Sequence, residues 1–128
     1  ADGSGAMNTT EFRALVEGWN SHGVKVAGYA AASKATVICN FLGLTDRDVA
    51  YCCDGSSLKQ GRMIPGTGIP ILPPETLREN PADVVIVFAW NIFDEIAERA
   101  RALAPKRITL VRPLPDVELI GAPQDVHP

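Results

Sequence analysis

Four stretches of the chain gather residue types that handle anions and hydroxyl groups. Gly28-Tyr29-Ala30-Ala31-Ala32-Ser33-Lys34 stands where a short strand passes into a helix. Its small residues let a ligand approach the backbone, and the first N–H groups of the helix point outward as an anion site. Lys34, in the first turn, opposes the helix dipole at a cost of roughly 0.3–1 kcal/mol unless something negative lies nearby. The alternative is a solvated lysine that tolerates the dipole. Asp54 ends the next strand 26 positions after Gly28, near the spacing at which an acid accepts hydrogen bonds from a ribose hydroxyl. An ordinary Asp-Gly turn with Gly55 fits the same residues. Lys59, Gln60, Gly61, Arg62, Pro65 and Gly66 form a turn-rich loop whose cations and glycines suit a phosphate or sugar, or else cover the sheet edge with charges in water. Trp90 and Asn91 follow a buried strand, with Glu95 one helical turn beyond Asn91. An indole there stacks on a base or sugar, or plugs the core, or buries against a neighbouring domain.

Other reactive types are poorly placed. His22 lies in a helix-ending turn and His127 near the chain end, remote from each other and from any acid partner. Ser33, Ser56 and Ser57 lack a nucleophile elbow and a histidine base, which disfavours hydrolase chemistry. Cys39, Cys52 and Cys53 show no CxxC spacing. Adjacent strand residues face opposite ways, so buried free thiols are expected rather than a metal or redox pair. No residue is assigned as catalytic or as a metal ligand.

These groups need elements to hold them. From Asn8 the residues Phe12, Leu15, Val16 and Trp19 repeat at helical spacing, with Asn8 or Thr9 as cap and Gly23 as stop. Val24 to Tyr29 predicts a strand, and a second helix carries Val37, Ile38, Phe41 and Leu42 up to Gly43. Val49 to Cys53 is apolar throughout, the mark of a strand covered on both faces. Gly55 to Gly68 reads as an ordered loop, Ile69 to Leu72 as a third strand, and Pro73-Pro74-Glu75 as the start of a short helix closed by Asn80-Pro81. Val84 to Phe88 is the clearest buried strand. It leads into a long helix with Ile92, Ile96, Ala100 and Leu103 on one face. Ile108 to Val111 and Val117 to Ile120 add a fifth and a sixth strand. This alternation predicts an α/β fold, a three-layer Rossmann-like sandwich with a mostly parallel sheet of five to six short strands and helices on both faces. Ligands then belong at the carboxyl edge, where strand order reverses.

Composition agrees with one domain. The 128 residues are 46% hydrophobic and 21% charged, and suffice for a single core. A net charge of −3 without a basic block argues against a nucleic-acid surface. No apolar run approaches the roughly 20 residues that span a bilayer, and no secretory pattern opens the sequence, so a cytoplasmic location without membrane partners is expected. Residues 1–7 are small and polar up to Met7 and are assigned to a disordered appended remnant outside the fold, 8–122 to the domain, and 123–128 to a flexible tail.

As an ordered set, the turn from Gly28 to Lys34, then Asp54, then Lys59-Gln60-Gly61-Arg62 with Pro65-Gly66-Thr67-Gly68-Ile69-Pro70-Ile71, then Ala89-Trp90-Asn91 through Asp94-Glu95-Ile96, resembles the C-terminal domain of sugar C-methyltransferases. The match spans nearly all of Thr10 to Leu110. Ala30 stands where that family usually has glycine, and Ala35 follows Lys34 where another glycine is common. The resemblance implies a larger enzyme with a zinc-binding amino-terminal domain, a central domain holding S-adenosylmethionine, and this domain last. It also implies a nucleotide-linked deoxysugar as substrate, with catalytic base and methyl donor in the central domain. No cofactor is therefore expected on this chain, which alone should not methylate, and the central domain is its expected partner. Two other readings stay open. One is a stand-alone nucleotide- or NAD-binding module, suggested by Asp54. The other is a structural domain whose Trp19, Trp90 or Phe93 offers an exposed apolar patch.

Overall fold

The computed structural model describes residues 6–30, 33–113 and 117–120. Among these the chain forms β1 (Ala6–Met7), α1 (Thr9–Ser21), β2 (Val26–Tyr29), α2 (Ser33–Leu42), β3 (Cys52–Cys53), β4 (Ile71–Leu72), α3 (Thr76–Glu79), β5 (Val84–Val87), a 3-10 turn (Trp90–Ile92), α4 (Phe93–Leu103), β6 (Thr109–Arg112) and β7 (Val117–Ile120). The strands make one sheet in the order β1-β7-β6-β5-β2-β3-β4. Strands β2 to β6 are parallel, while β7 runs antiparallel to both β6 and β1. The expected α/β architecture is present. Ala6 and Met7, assigned above to an appended remnant outside the fold, instead pair with Glu118 and Val117 and add a seventh strand. Residues 1–5, 31–32, 114–116 and 121–128 lie outside the described part, and with them Ala31 and Ala32 of the expected turn and the expected tail.

Alternation along each strand builds the two cores. Val26, Cys52, Val84, Ile86 and Phe88 face one side and pack with Phe12, Val16, Ala35, Ile38, Cys39 and Leu42 of α1 and α2. Ala27, Tyr29, Cys53, Val85 and Val87 face the other and meet Leu77 of α3 and Phe93, Ile96, Ala97 and Ala100 of α4. The three layers are thus fixed by strand periodicity, and the neighbouring cysteines do point to opposite faces. Each fully buried Val or Ile of β5 contributes roughly 1.5–3 kcal/mol relative to exposure. That run makes β5 the centre of the sandwich.

Local hydrogen bonding explains where the elements depart from their expected bounds. Asn8 caps α1 reciprocally with Glu11, in a capping box. Val24, expected in β2, donates to the Trp19 carbonyl to close α1, so the strand begins at Val26. Ala50 N–H donates to Val26 C=O and Gly28 N–H to Tyr51 C=O, extending contact beyond the short β3. In α2 the buried residues are Ala35, Ile38, Cys39 and Leu42, while Val37 and Phe41 are exposed. In α4 the helical period begins at Phe93, not Ile92. Ile92 sits in the 3-10 turn and is exposed, whereas Phe93 is buried.

Candidate functional site at the carboxyl edge of the sheet

The chain passes outward from β2 to β3 and β4, then returns to place β5 on the other side of β2. Strand order therefore reverses at the β2–β5 boundary, where open parallel sheets form a crevice at their carboxyl ends. Tyr29 pairs with Cys53 on one side and Val87 on the other, so the segments after these residues leave the sheet side by side. Adjacent strands lie about 4.8 Å apart. Ala30, Asp54 and the Ala89–Asn91 segment thus share one edge, as expected from sequence. Helix α2 also starts there, bringing Ser33 and Lys34 to this edge.

Ala30 adopts φ of 69°, a left-handed conformation that costs a non-glycine residue about 1 kcal/mol or more. Its N–H donates to the Cys53 carbonyl at 2.7 Å, which ties the turn to the neighbouring strand. Gly28, two residues earlier, does a different job. A Cβ there would lie 2.4 Å from Phe88 Cε2 and 3.2 Å from Cys52 Sγ, so the absent side chain makes room for a buried ring. Its lack of a side chain therefore serves packing on this face of β2.

Asp54 organises its own loop. One carboxylate oxygen accepts from Ser56 N–H at 2.8 Å, and the other lies 4.0 Å from Lys59 Nζ. Its carbonyl accepts from Gln60 Nε2 at 2.8 Å. Gln60 therefore fastens the loop as well as standing at the edge. Gly61, at φ of 87°, turns the chain back along β4 and donates its N–H to Ile71 C=O. From Arg62 the chain runs antiparallel to β4, with Ile71 N–H to Arg62 C=O, a Met63–Pro70 bridge and Ile64 N–H to Ile69 C=O. This return covers the open side of β4, a common protection of an edge strand.

The hairpin turn lies at the opposite end of the sheet. Thr67 is buried, bonded to Ile64 C=O and Ile69 N–H, and its carbonyl accepts from Asp46 N–H in the segment that leads into β3. Pro65 and Gly66 are thereby held at the amino end of β3 and β4, away from the crevice, and their assignment as ligand contacts is corrected. Arg62 lies on the return beside β4, where its carbonyl accepts from Ile71 N–H at 2.7 Å.

On the other side of β2, Trp90 is half-buried against the α1–α2 core. With Asn91, Ile92, Phe93, Asp94, Glu95 and Arg112 it also lines an open depression of about 450 Å³. Arg112, absent from the expected set, ends β6 at the same edge. Its guanidinium lies 4.6 Å from the centre of the Phe93 ring and donates to Glu118 at 2.8 Å. The signal for it is a cation directly after the strand segment Ile108–Val111. Phe93 is buried and Trp19 packs against the core, so neither provides the exposed patch considered above.

Burial pushes the Cys39 and Cys53 thiols up to about 12, and raises Cys52 well above its ordinary value for the same reason. These groups stay protonated near neutrality and lack the thiolate that a nucleophile needs. Among the described residues no group of three or more His, Cys, Asp or Glu side chains assembles to hold a metal. No helix among them is long and apolar enough to cross a membrane.

A family model described as the C-methyltransferase C-terminal domain matches residues 6–115. The chain belongs to this family. It is also 32% identical over 112 residues to the C-methyltransferase NovU of Streptomyces niveus, an alignment covering 88% of this chain and 27% of that relative. The C-methyltransferase domain described here thus corresponds to little more than a quarter of that relative's length. The family match begins at Ala6, the first residue of β1, which agrees with β1 being part of the fold.

Proposed function

We propose that this C-methyltransferase domain forms one wall of a crevice for a nucleotide-linked deoxysugar within a longer, cytoplasmic, S-adenosylmethionine-dependent enzyme. The observation that carries the reading is the meeting of Ala30 and the start of α2, Asp54 with Lys59 and Gln60, and Trp90 with Asn91 at the carboxyl ends of three adjacent strands, at the point where strand order reverses. In the reaction a base removes the proton beside a sugar keto group, and the enolate carbon attacks the donor methyl. S-adenosylmethionine supplies that methyl group. Both it and the base are assigned to the central domain, the partner against which this edge closes, and zinc to an amino-terminal domain. This chain's own residues bind and orient the substrate: α2 N–H groups and Lys34 toward phosphate, Asn91 and Glu95 toward hydroxyls. A dinucleotide module fits less well, since the strand-to-helix segment Gly28–Lys34 lacks the glycine fingerprint of such sites.

Thermal-shift titration of the chain with thymidine diphosphate, S-adenosylmethionine and NAD tests the reading. Stabilisation by thymidine diphosphate alone is expected, together with no methyl transfer when donor and a nucleotide-linked keto-sugar are supplied. Stabilisation by NAD alone, or turnover by the isolated chain, would overturn it.

A further inference from the structure

Helix α2 is apolar on both of its long faces. Ala35, Ile38, Cys39 and Leu42 are buried in the core, yet Val37 and Phe41, one turn apart on the outer side, are 67% and 65% exposed. Lys34 is the only charged residue of this helix, so its outer side lacks the polar stripe that a solvent-facing helix carries. Between α2 and α1 lies an open depression of about 460 Å³, walled by Thr10, Ala14 and Glu17 of α1 and by Asn40, Phe41 and Gly43 at the end of α2. Thr10 and Ala14 are small, exposed and one turn apart, which leaves room for a side chain to enter from outside.

One surface thus offers a projecting aromatic ring and, beside it, a hollow with room for such a ring. A surface of this kind is complementary to itself about a two-fold axis, the commonest symmetry of protein dimers. The charges agree. Arg13 and Glu17, the cation and the anion that line the hollow, lie 3.4 Å apart, so two copies meet there without an excess of like charge. A partner selected by charge would find no net sign to read. We propose that the outer face of α1 and α2 is a self-association surface, on which Phe41 of each copy enters the hollow of the other and Val37 packs beside it. The two helices have 13 and 10 residues, lengths of about 20 and 15 Å. Such a face is at the small end of specific interfaces, so a dimer with Kd on the order of 10–100 μM is expected.

Sedimentation equilibrium of the chain over a concentration series that brackets this Kd tests the proposal. The average mass should rise from that of one chain toward that of two. Phe41→Glu should weaken the dimer at least about tenfold, as loss of a central aromatic anchor does. Ala14→Arg, which fills the hollow from the α1 side, should do the same without touching Phe41. Both positions are exposed, and unchanged circular dichroism and melting temperature check that the fold is kept. Leu58→Glu alters the most exposed apolar side chain outside this face and should leave the dimer unchanged. A single-chain mass across the series would overturn the proposal and leave the outer side of α2 to another protein segment. A dimer indifferent to Phe41→Glu and Ala14→Arg, or weakened equally by Leu58→Glu, would also overturn it.

Discussion

Gly28 and Ala30, two positions apart, meet opposite constraints. Gly28 has an ordinary strand conformation but no room for a Cβ, because the Phe88 ring occupies that space. Ala30 keeps its Cβ but holds a φ of 69° that a glycine would adopt without penalty. Gly28→Ala should therefore destabilise the fold by about 1–3 kcal/mol through overpacking, and Ala30→Gly should stabilise it by up to about 1 kcal/mol. Urea unfolding followed by circular dichroism reads both, and the pair should move in opposite directions. Equal losses would mean that neither constraint is correctly described. The sequence displayed the small residues of this turn but not their separate reasons. Phe88 reaches Gly28 only through the pairing of β2 with β5, and a backbone angle leaves no trace in residue type when alanine is used.

Elements were legible where periodicity is local. Helix α1 was readable from its apolar spacing and its Asn8 cap, and β5 from four consecutive buried residues. The segment 61–71 was not, since its antiparallel return along β4 is set by main-chain bonds and by the side chain of Thr67, with no alternation to announce it. What fastens α1 to the rest was equally hidden. Buried Asp48 accepts from Arg13 at 2.9 and 3.1 Å, from Asn20 Nδ2 at 3.2 Å and from Thr45 N–H at 3.0 Å. Arg13 also donates to the Gly43 carbonyl at the end of α2 at 2.8 Å. Four donors on one carboxylate join α1 to the segment before β3, across more than two dozen residues of sequence. Asp48→Ala should lower stability by about 1.5–3 kcal/mol, the range for charge-assisted hydrogen bonds, and thermal melting measures it. A change below about 0.5 kcal/mol would place the network among solvent-screened surface pairs.

Across the whole molecule, the parallel order of the strands carries the functional reading. Alternating strands and helices predicted that ligand-handling residues would gather at the carboxyl edge. Ala30, the start of α2, Asp54 and the Trp90–Asn91 segment follow the carboxyl ends of β2, β3 and β5, while Pro65 and Gly66 are carried to the amino end by the hairpin and Gly28 packs against Phe88 in the core. Arg112 joins the edge because β6 lies beside β5, a neighbour relation that only the strand order reveals. Amide hydrogen exchange of the chain, with and without millimolar thymidine diphosphate sugar, tests this placement most directly. Protection at residues 54–60 and 89–92, with residues 65–68 unchanged, is the expected result. Protection confined to 65–68, or none at either end of the sheet, would contradict a substrate crevice at the carboxyl edge.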